Sequence, residues 1–268
     1  MRLIERGSGA PRVAVVGGIH GDEPSGERIV DRLAETLDHD DIAGTVQLLV
    51  ANEPALTAGE RYTDTDLNRT FPGDHDAEEY ERALAPRVLS VLDGADAVLA
   101  LHSSRSAPPP FAIYSHLTPS VRRTVTGLPV DHVLDAGNLR TTTLDSTLPH
   151  TVSVEVGHQG SEAAVEFGYD ATLDFLRAHG VLDDEEPSFT ETTVVEGIEE
   201  VPKGEGEPHV YYDNFEAIPP GEVFARDDEV THRVERDGIV PVLASEHGYS
   251  DIFGLYGSVK ATIEPPSE

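Results

Sequence analysis

Cysteine is absent from the 268 residues, and that absence removes disulfides, thiolate metal ligands and thiol nucleophiles together. Any metal must then be held by histidine and carboxylate. Lysine is nearly absent too: only Lys203 and Lys260 occur, and lysine and arginine together number 19 against 50 acidic residues, a formal net charge of −31. A surface of that sign repels phosphate, which excludes nucleic acid and anionic membranes as natural partners. No long apolar run is present either. Residues 1–6 lack the core of a signal peptide and no later stretch is long enough to cross a bilayer, so the chain reads as cytoplasmic.

The acidic residues are spread along the chain, and apolar periodicity survives between them, a pattern that argues against disorder. Adaptation to very high salt accounts for it, because a densely acidic surface stays hydrated and soluble where screening is extreme. The expected result is unfolding on transfer from molar to dilute salt, followed by far-ultraviolet circular dichroism. A signal unchanged in dilute buffer would remove the halophilic reading.

The chain is organised around Val13-Ala14-Val15-Val16-Gly17-Gly18-Ile19-His20-Gly21-Asp22-Glu23-Pro24. The β-branched run reads as a buried parallel strand, the glycines permit a tight turn, and Pro24 suits the first position of a helix. His20 and Glu23 thus fall beyond the carboxyl end of a strand, where open α/β sheets bind ligands. An imidazole and a carboxylate three positions apart on such a turn can meet one metal ion. A catalytic zinc set of the two-histidine, one-glutamate kind needs a further histidine.

Residues 23–39 carry Ile29, Val30, Leu33 and Leu37 on one side, an amphipathic helix, and residues 45–51 form a second buried strand. Strand, helix and strand in this order make the crossover unit of a parallel sheet. Residues 52–73 are polar, rich in turn formers and too long for an idle connection; they hold Arg61, Asn68 and Arg69. Residues 77–92 read as a helix that Pro86 kinks or breaks. Residues 97–101 form a third buried strand that delivers His102 at its carboxyl end. Strands are also expected over 111–115, 130–134 and 151–156, the last bringing Glu155 close to its end, with a Thr-rich loop over 139–149 and a helix over 161–179 capped by Ser161. Beyond about residue 182 an acidic linker leads to short β-branched runs broken by proline and glycine. The expected organisation is an α/β domain over 1–182, with a mixed, mostly parallel central sheet flanked by helices, and a smaller β-rich C-terminal domain over 183–268.

His20, Glu23 and His102 are candidate ligands from two strand ends, and Glu155 is a carboxylate on a third. A zinc ion in such a set lowers the pKa of water from about 15.7 to about 7 in good cases, while a separate carboxylate takes up the proton. Arg61 is a charged candidate to support the developing oxyanion. Arg69 has Asp64 and Asp66 near it in sequence as structural partners, yet its planar fork also suits a substrate carboxylate.

The stretch from Gly18 to Glu23, the segment RYTDTDLNRTFPG from Arg61 to Gly73, His102 after its strand and VEVG from Val154 to Gly157 together resemble the succinylglutamate desuccinylase/aspartoacylase family, a branch of the zinc carboxypeptidase superfamily. They fall in the family's order across nearly all of the first 180 residues. The resemblance implies a zinc carboxypeptidase-like catalytic domain with one zinc ion per chain on His20, Glu23 and His102, and Glu155 as general base and proton shuttle. It further implies that Arg61 polarises the scissile carbonyl, that Asn68 and Arg69 bind the substrate carboxylate, and that Tyr249, on a C-terminal portion overhanging the cleft, helps to fix the substrate. Homo-oligomers are common in the family, although no residue here fixes a stoichiometry.

Two positions depart from the pattern. Ala100 stands where the family commonly has an acid that holds the third ligand's imidazole, a loss that typically costs roughly 10- to 100-fold in metal affinity or activity. Asp145 stands where aspartoacylases carry a second carboxylate-binding arginine, and Arg140 is the nearest basic residue. This argues against N-acetylaspartate and succinylglutamate as specific substrates. The implied reaction is hydrolysis of the amide bond of an N-acyl amino acid or related small amide. A zinc carboxypeptidase acting on peptides would use the same chemistry in another pocket, and a non-catalytic zinc binder would need neither Glu155 nor Arg61.

Overall fold

The computed structural model describes residues 1–106 and 108–265. Along the chain run β1 (Arg2–Gly7), β2 (Arg12–Gly17), α1 (Pro24–Thr36), β3 (Thr45–Val50), α2 (Glu53–Ala58), α3 (Tyr80–Leu92), β4 (Ala97–Ser104), β5 (Phe111–Tyr114), α4 (Pro119–Gly127), β6 (His132–Asp135), α5 (Leu144–Thr147), β7 (Thr151–His158) and α6 (Glu162–Ala178). The strands β8 (Thr192–Pro202), β9 (His209–Val210), β10 (Val223–Arg226), β11 (Thr231–Arg233), β12 (Ile239–Val242) and β13 (Ile252–Ile263) follow. One sheet has the order β1-β3-β2-β4-β7-β5-β6-β8-β13-β12, and a second, antiparallel one has β11-β10-β9. The large sheet is mixed: β3-β2-β4-β7 and β5-β6-β8 are parallel, and the other neighbours antiparallel. It continues past residue 182, because β8 pairs with β6 and hands on to β13 and β12.

The two-residue period of β2 sorts its side chains between two cores. Val13 and Val15 pack with Ile29, Val30 and Leu33 of α1 and Phe175 of α6 on one face. Ala14 and Val16 pack with Leu84, Val88 and Leu92 of α3 on the other. Burial on both faces explains the unbroken apolar run. Pro24 opens α1 and Ser161 caps α6, its Oγ accepting from the Ala164 N–H.

Pro86 does not break α3, which runs through it from Tyr80 to Leu92. Proline removes the N–H that would reach the Arg82 carbonyl, and the Asp74 N–H bonds that carbonyl instead, at 2.9 Å. Other differences are local. The 52–73 connection contains α2, the 139–149 loop contains α5, and α4 and the edge strand β1 lie in stretches with no expected element. β4 runs on to Ser104, so His102 sits within the strand. Pro241 lies in β12 at the sheet edge, where the missing N–H costs no ladder bond. Among the described residues no helix is long and apolar enough to cross a membrane.

Candidate active site

The parallel neighbours β2, β4 and β7 bring their carboxyl ends together, and the polar residues of the first turn gather there. His20, Glu23 and His102 are 3%, 7% and 5% exposed, a degree of burial that charged or polar groups accept only with partners. They are one another's partners: His20 Nδ1 lies 2.7 Å from Glu23 Oε1, and His102 Nδ1 lies 3.1 Å from Glu23 Oε2. One ligand atom from each falls within 4.8 Å of the others. Gly21 makes this turn possible, because a Cβ there would lie 2.0 Å from the Ala55 backbone carbon.

The electrostatics of this triad favour a cation. Burial would depress the His20 imidazole, yet the Glu23 and Asp66 carboxylates outweigh it and push the group up to about 9. Burial likewise opposes ionisation of Glu23, and the two imidazoles hold it well below the usual carboxylate range. Two imidazole nitrogens and a carboxylate within reach of a common centre could hold a metal ion. The outer partners differ between the imidazoles. His20 Nε2 is 3.0 Å from Asp66 Oδ1, the carboxylate–histidine arrangement that fixes a ligating ring. His102 Nε2 is buried with no hydrogen-bond partner among the described residues, so nothing there replaces the acid that Ala100 lacks.

The loop carrying Arg61 and Asp66 is held by one buried carboxylate. Glu81 of α3 accepts from the backbone N–H groups of Thr63, Asp64 and Thr65 at 2.6, 2.9 and 3.1 Å and from Asn52 Nδ2 at 3.0 Å. Burial raises its pKa, but these donors overcome it and leave the carboxyl below its ordinary value. Glu81 was missed by the motif analysis, although its spacing to Leu84, Ala85, Val88 and Leu92 puts it on the apolar stripe of the helix, a signal in itself. In Glu81→Gln a donor NH2 would face backbone donors. Stability is expected to fall by roughly 2–3 kcal/mol, with a lower kcat as Arg61 and Asp66 lose their support. Thermal unfolding and single-turnover rates check this, and a native-like melting temperature would contradict it.

Arg61 spans the site. Its Nε donates to Asp66 Oδ2 at 3.0 Å, its Nη1 to Glu23 Oε1 at 3.1 Å, and its Nη2 is 3.0 Å from His20 Nε2. Asp66 thus pairs with Arg61 and His20. Arg69, for which Asp64 and Asp66 were the structural alternatives, makes no ion pair among the described residues; its Nη1 donates to the Asn68 carbonyl at 2.7 Å. Burial and then the neighbouring Arg140 lower the Arg69 pKa, leaving a guanidinium in need of an anion.

Glu155 stands opposite His102 in the β4–β7 register, followed by a shift before the Ser104–His158 pair. One extra residue on β7 makes a bulge, and Gly157 occupies it at φ +128°, which is why the motif ends in glycine. Glu155 Oε2 is shielded and has no hydrogen-bond partner among the described residues. Burial, then the Glu23 charge, push the carboxyl up to about 7, against the pull of His102, His20 and Arg61. Tyr249 reaches the same cavity from the segment between β12 and β13; burial and Glu155 push its phenol up to about 12. Lys203 ties that segment down, its Nζ donating to the carbonyls of Glu246 at 2.8 Å and Tyr249 at 2.5 Å.

The cavity measures about 760 Å³ and is lined by His20, Glu23, His102, Arg61, Glu155 and Tyr249, as well as by Asn68, Arg69 and Arg140. Asn68 is half structural: its Oδ1 accepts from the Leu144 N–H at 2.9 Å, leaving Nδ2 for a ligand. Arg140 is engaged by Glu200 at 2.6 Å.

Residues 9–175 match the model of the succinylglutamate desuccinylase/aspartoacylase catalytic domain. The chain belongs to the succinylglutamate desuccinylase/aspartoacylase family. Among curated relatives in and around this family, N-alpha-acetyl-L-2,4-diaminobutyric acid deacetylase of Halomonas elongata is 37% identical over 105 residues, 38% of this chain and 30% of that protein. Succinylglutamate desuccinylase of Burkholderia orbicola is 37% identical over 101 residues, 35% of this chain and 28% of that protein. The matched stretches thus span about a third of these relatives. The crystal structure of a succinylglutamate desuccinylase/aspartoacylase from Rhodobacter sphaeroides superposes with a TM-score of 0.78 at 21% identity, covering 96% of this chain and 88% of that one. The family fold therefore extends beyond residue 175 into the β-rich C-terminal portion.

Proposed function

We propose that the chain is a zinc-dependent deacylase that hydrolyses the amide bond of an N-acyl amino acid or related small amide, in a salt-rich cytoplasm. The observation that carries this reading is Glu155: a shielded carboxylate with an unpartnered oxygen, across the strand pair from a buried His–Glu–His donor set. His20, Glu23 and His102 would hold the ion, one per chain. When bound, zinc supplies Lewis acidity, acidifying water and polarising a carbonyl.

The protein's own groups do the remaining work. Glu155 accepts a proton from the attacking water and returns it to the departing amine, a shuttle suited to a carboxyl whose pKa burial has raised toward neutrality. Arg61, whose three nitrogens fan across Glu23, His20 and Asp66, donates to the carbonyl oxygen as negative charge develops. Arg69 and Asn68 Nδ2 receive the substrate carboxylate, and Tyr249, on the wall of the same cavity, helps to fix the substrate. The β-rich portion from residue 183 onward contributes this wall over a catalytic domain of residues 1–182. Acetyl- and succinyl-amino acids, the substrates that the names of the Halomonas and Burkholderia relatives give for those proteins, are the first acyl amino acids to offer, although Asp145 argues against succinylglutamate itself.

One observation favours a second reading, a zinc binder without turnover: the unpartnered His102 Nε2. Pure binding leaves Glu155 and Arg61 without a task. The test is zinc-loaded protein in molar salt, offered N-acyl amino acids and C-terminally free peptides. Release of free amine from the acyl amino acids supports the deacylase; cleavage of peptides alone assigns a carboxypeptidase, and zinc bound without either reaction assigns the binder.

A further inference from the structure

Most charges on the cavity wall are paired within it. Arg105 meets Asp22 at 3.0 Å, Arg140 meets Glu200 at 2.6 Å, and Arg61 meets Asp66 and Glu23. Among the described lining residues Arg69 is the cation left without a carboxylate, and, with Glu60 and Asp251 exposed to solvent and Glu155 beside the donor set, Asp145 is the buried carboxylate left without a basic group. Asp145 is only 5% exposed, and among the described residues its side chain's one hydrogen bond is that accepted by Oδ2 from Ser115 Oγ at 2.5 Å. A hydroxyl does not compensate a buried carboxylate, and the uncompensated charge is costly.

A helix-capping role does not explain it. The N-terminus of α5 is already closed by Thr143, whose Oγ1 accepts from the Ser146 N–H while Ser146 Oγ accepts from the Thr143 N–H. Nor is Asp145 loosely held. The Leu144 N–H is bonded to Asn68 Oδ1 at 2.9 Å, and the Phe71 N–H to the Thr142 carbonyl at 3.2 Å. The segment bearing Asp145 is thus stitched to the segment bearing Arg69, so both charges sit at fixed places on one cavity.

We propose that Asp145 receives an ammonium on the substrate's side chain, so that the substrate class is an N-acyl amino acid with a second, free amino group. This rests on the deacylase reading of the same cavity. A zwitterion of that kind neutralises Arg69 through its carboxylate and Asp145 through its ammonium, whereas an acidic side chain would meet Asp145 as a like charge. Because the carboxylate is shielded, bulk salt screens the contact far less than an exposed pair.

Calorimetry on the zinc-loaded protein in molar salt tests the assignment without turnover, using amine products that differ by one ammonium: diaminobutyrate against aminobutyrate, and ornithine against norvaline. At least one diamino acid is expected to bind about 10- to 100-fold more tightly than its neutral counterpart, and Asp145→Asn, with folding checked by circular dichroism, is expected to level the pair. Equal binding within both pairs by the native chain, no binding of any of the four, or a preference that survives Asp145→Asn would each overturn it. An ammonium preference in a chain that hydrolyses no acyl amino acid would sink the deacylase reading and leave the assignment of Asp145 standing. Hydrolysis without the preference would do the reverse.

Discussion

Glu155→Gln is expected to fold, to keep its metal and to lose kcat by about 100- to 10,000-fold, some 3–5 kcal/mol in the barrier. The amide has the carboxylate's shape and cannot take up a proton. The variant also carries a stability signature that an exposed or ion-paired glutamate would not. Folding raises the Glu155 pKa from 4.5 to about 7 in the ion-free chain, so across that window the folded state binds more protons than the unfolded one. Its contribution therefore lowers stability as pH rises from 4.5 to about 7. Glu155→Gln removes that slope, and the ion-free variant should be at least as stable as the native chain above neutrality. Metal analysis, steady-state kinetics and melting curves across pH read these outcomes. Persistent turnover would move the proton acceptor elsewhere.

His102→Ala is expected to release the ion. In the proposed site the ring would supply one of three ligand atoms, and its Nδ1 also helps to hold Glu23 ionised. Removing it leaves a buried carboxylate with one imidazole, so the affinity should fall by more than the roughly 10- to 100-fold that loss of an outer partner costs. The native site already lacks such a partner on His102 Nε2. Full zinc occupancy in the variant, measured after dialysis, would remove His102 from the ligand set.

The parts of the molecule legible from residues alone are those in which one physical cause dominates. β2, β3 and β4 are buried on both faces, and their sequences are accordingly mostly apolar, with Gln47 inside β3 and His102 to Ser104 at the end of β4 the polar exceptions. α1 and α6 announce themselves by an apolar stripe with a proline or serine at the start. α4 has only nine residues and its apolar contacts rest on Val121 and Val125, too few to define a period, although Thr118-Pro119 is a start signal. β10 and β11 are four and three residues long and owe their existence to pairing rather than propensity.

The site divides in the same way. His20 and Glu23 follow a strand end, and His102 and Glu155 lie in the carboxyl-terminal halves of β4 and β7, close to where a topological rule places ligands. Asp66 and Glu81 do not: their importance comes from contacts 46 and 16–29 residues away in sequence. Motif spacing carries no such information. Asp145 was visible as a departure from the family pattern, but its lack of a basic partner is a property of the folded cavity.

The central claim is convergence of three distant side chains on one divalent ion with Glu155 free beside it. The most direct measurement is an anomalous difference map from crystals grown with zinc, recorded on both sides of its absorption edge. The account predicts one peak per chain, about 2.0–2.2 Å from a nitrogen of His20, a nitrogen of His102 and the Glu23 carboxylate, with Glu155 outside bonding distance. A peak bound elsewhere, or one that takes Glu155 as a ligand in place of any of the three, would contradict it.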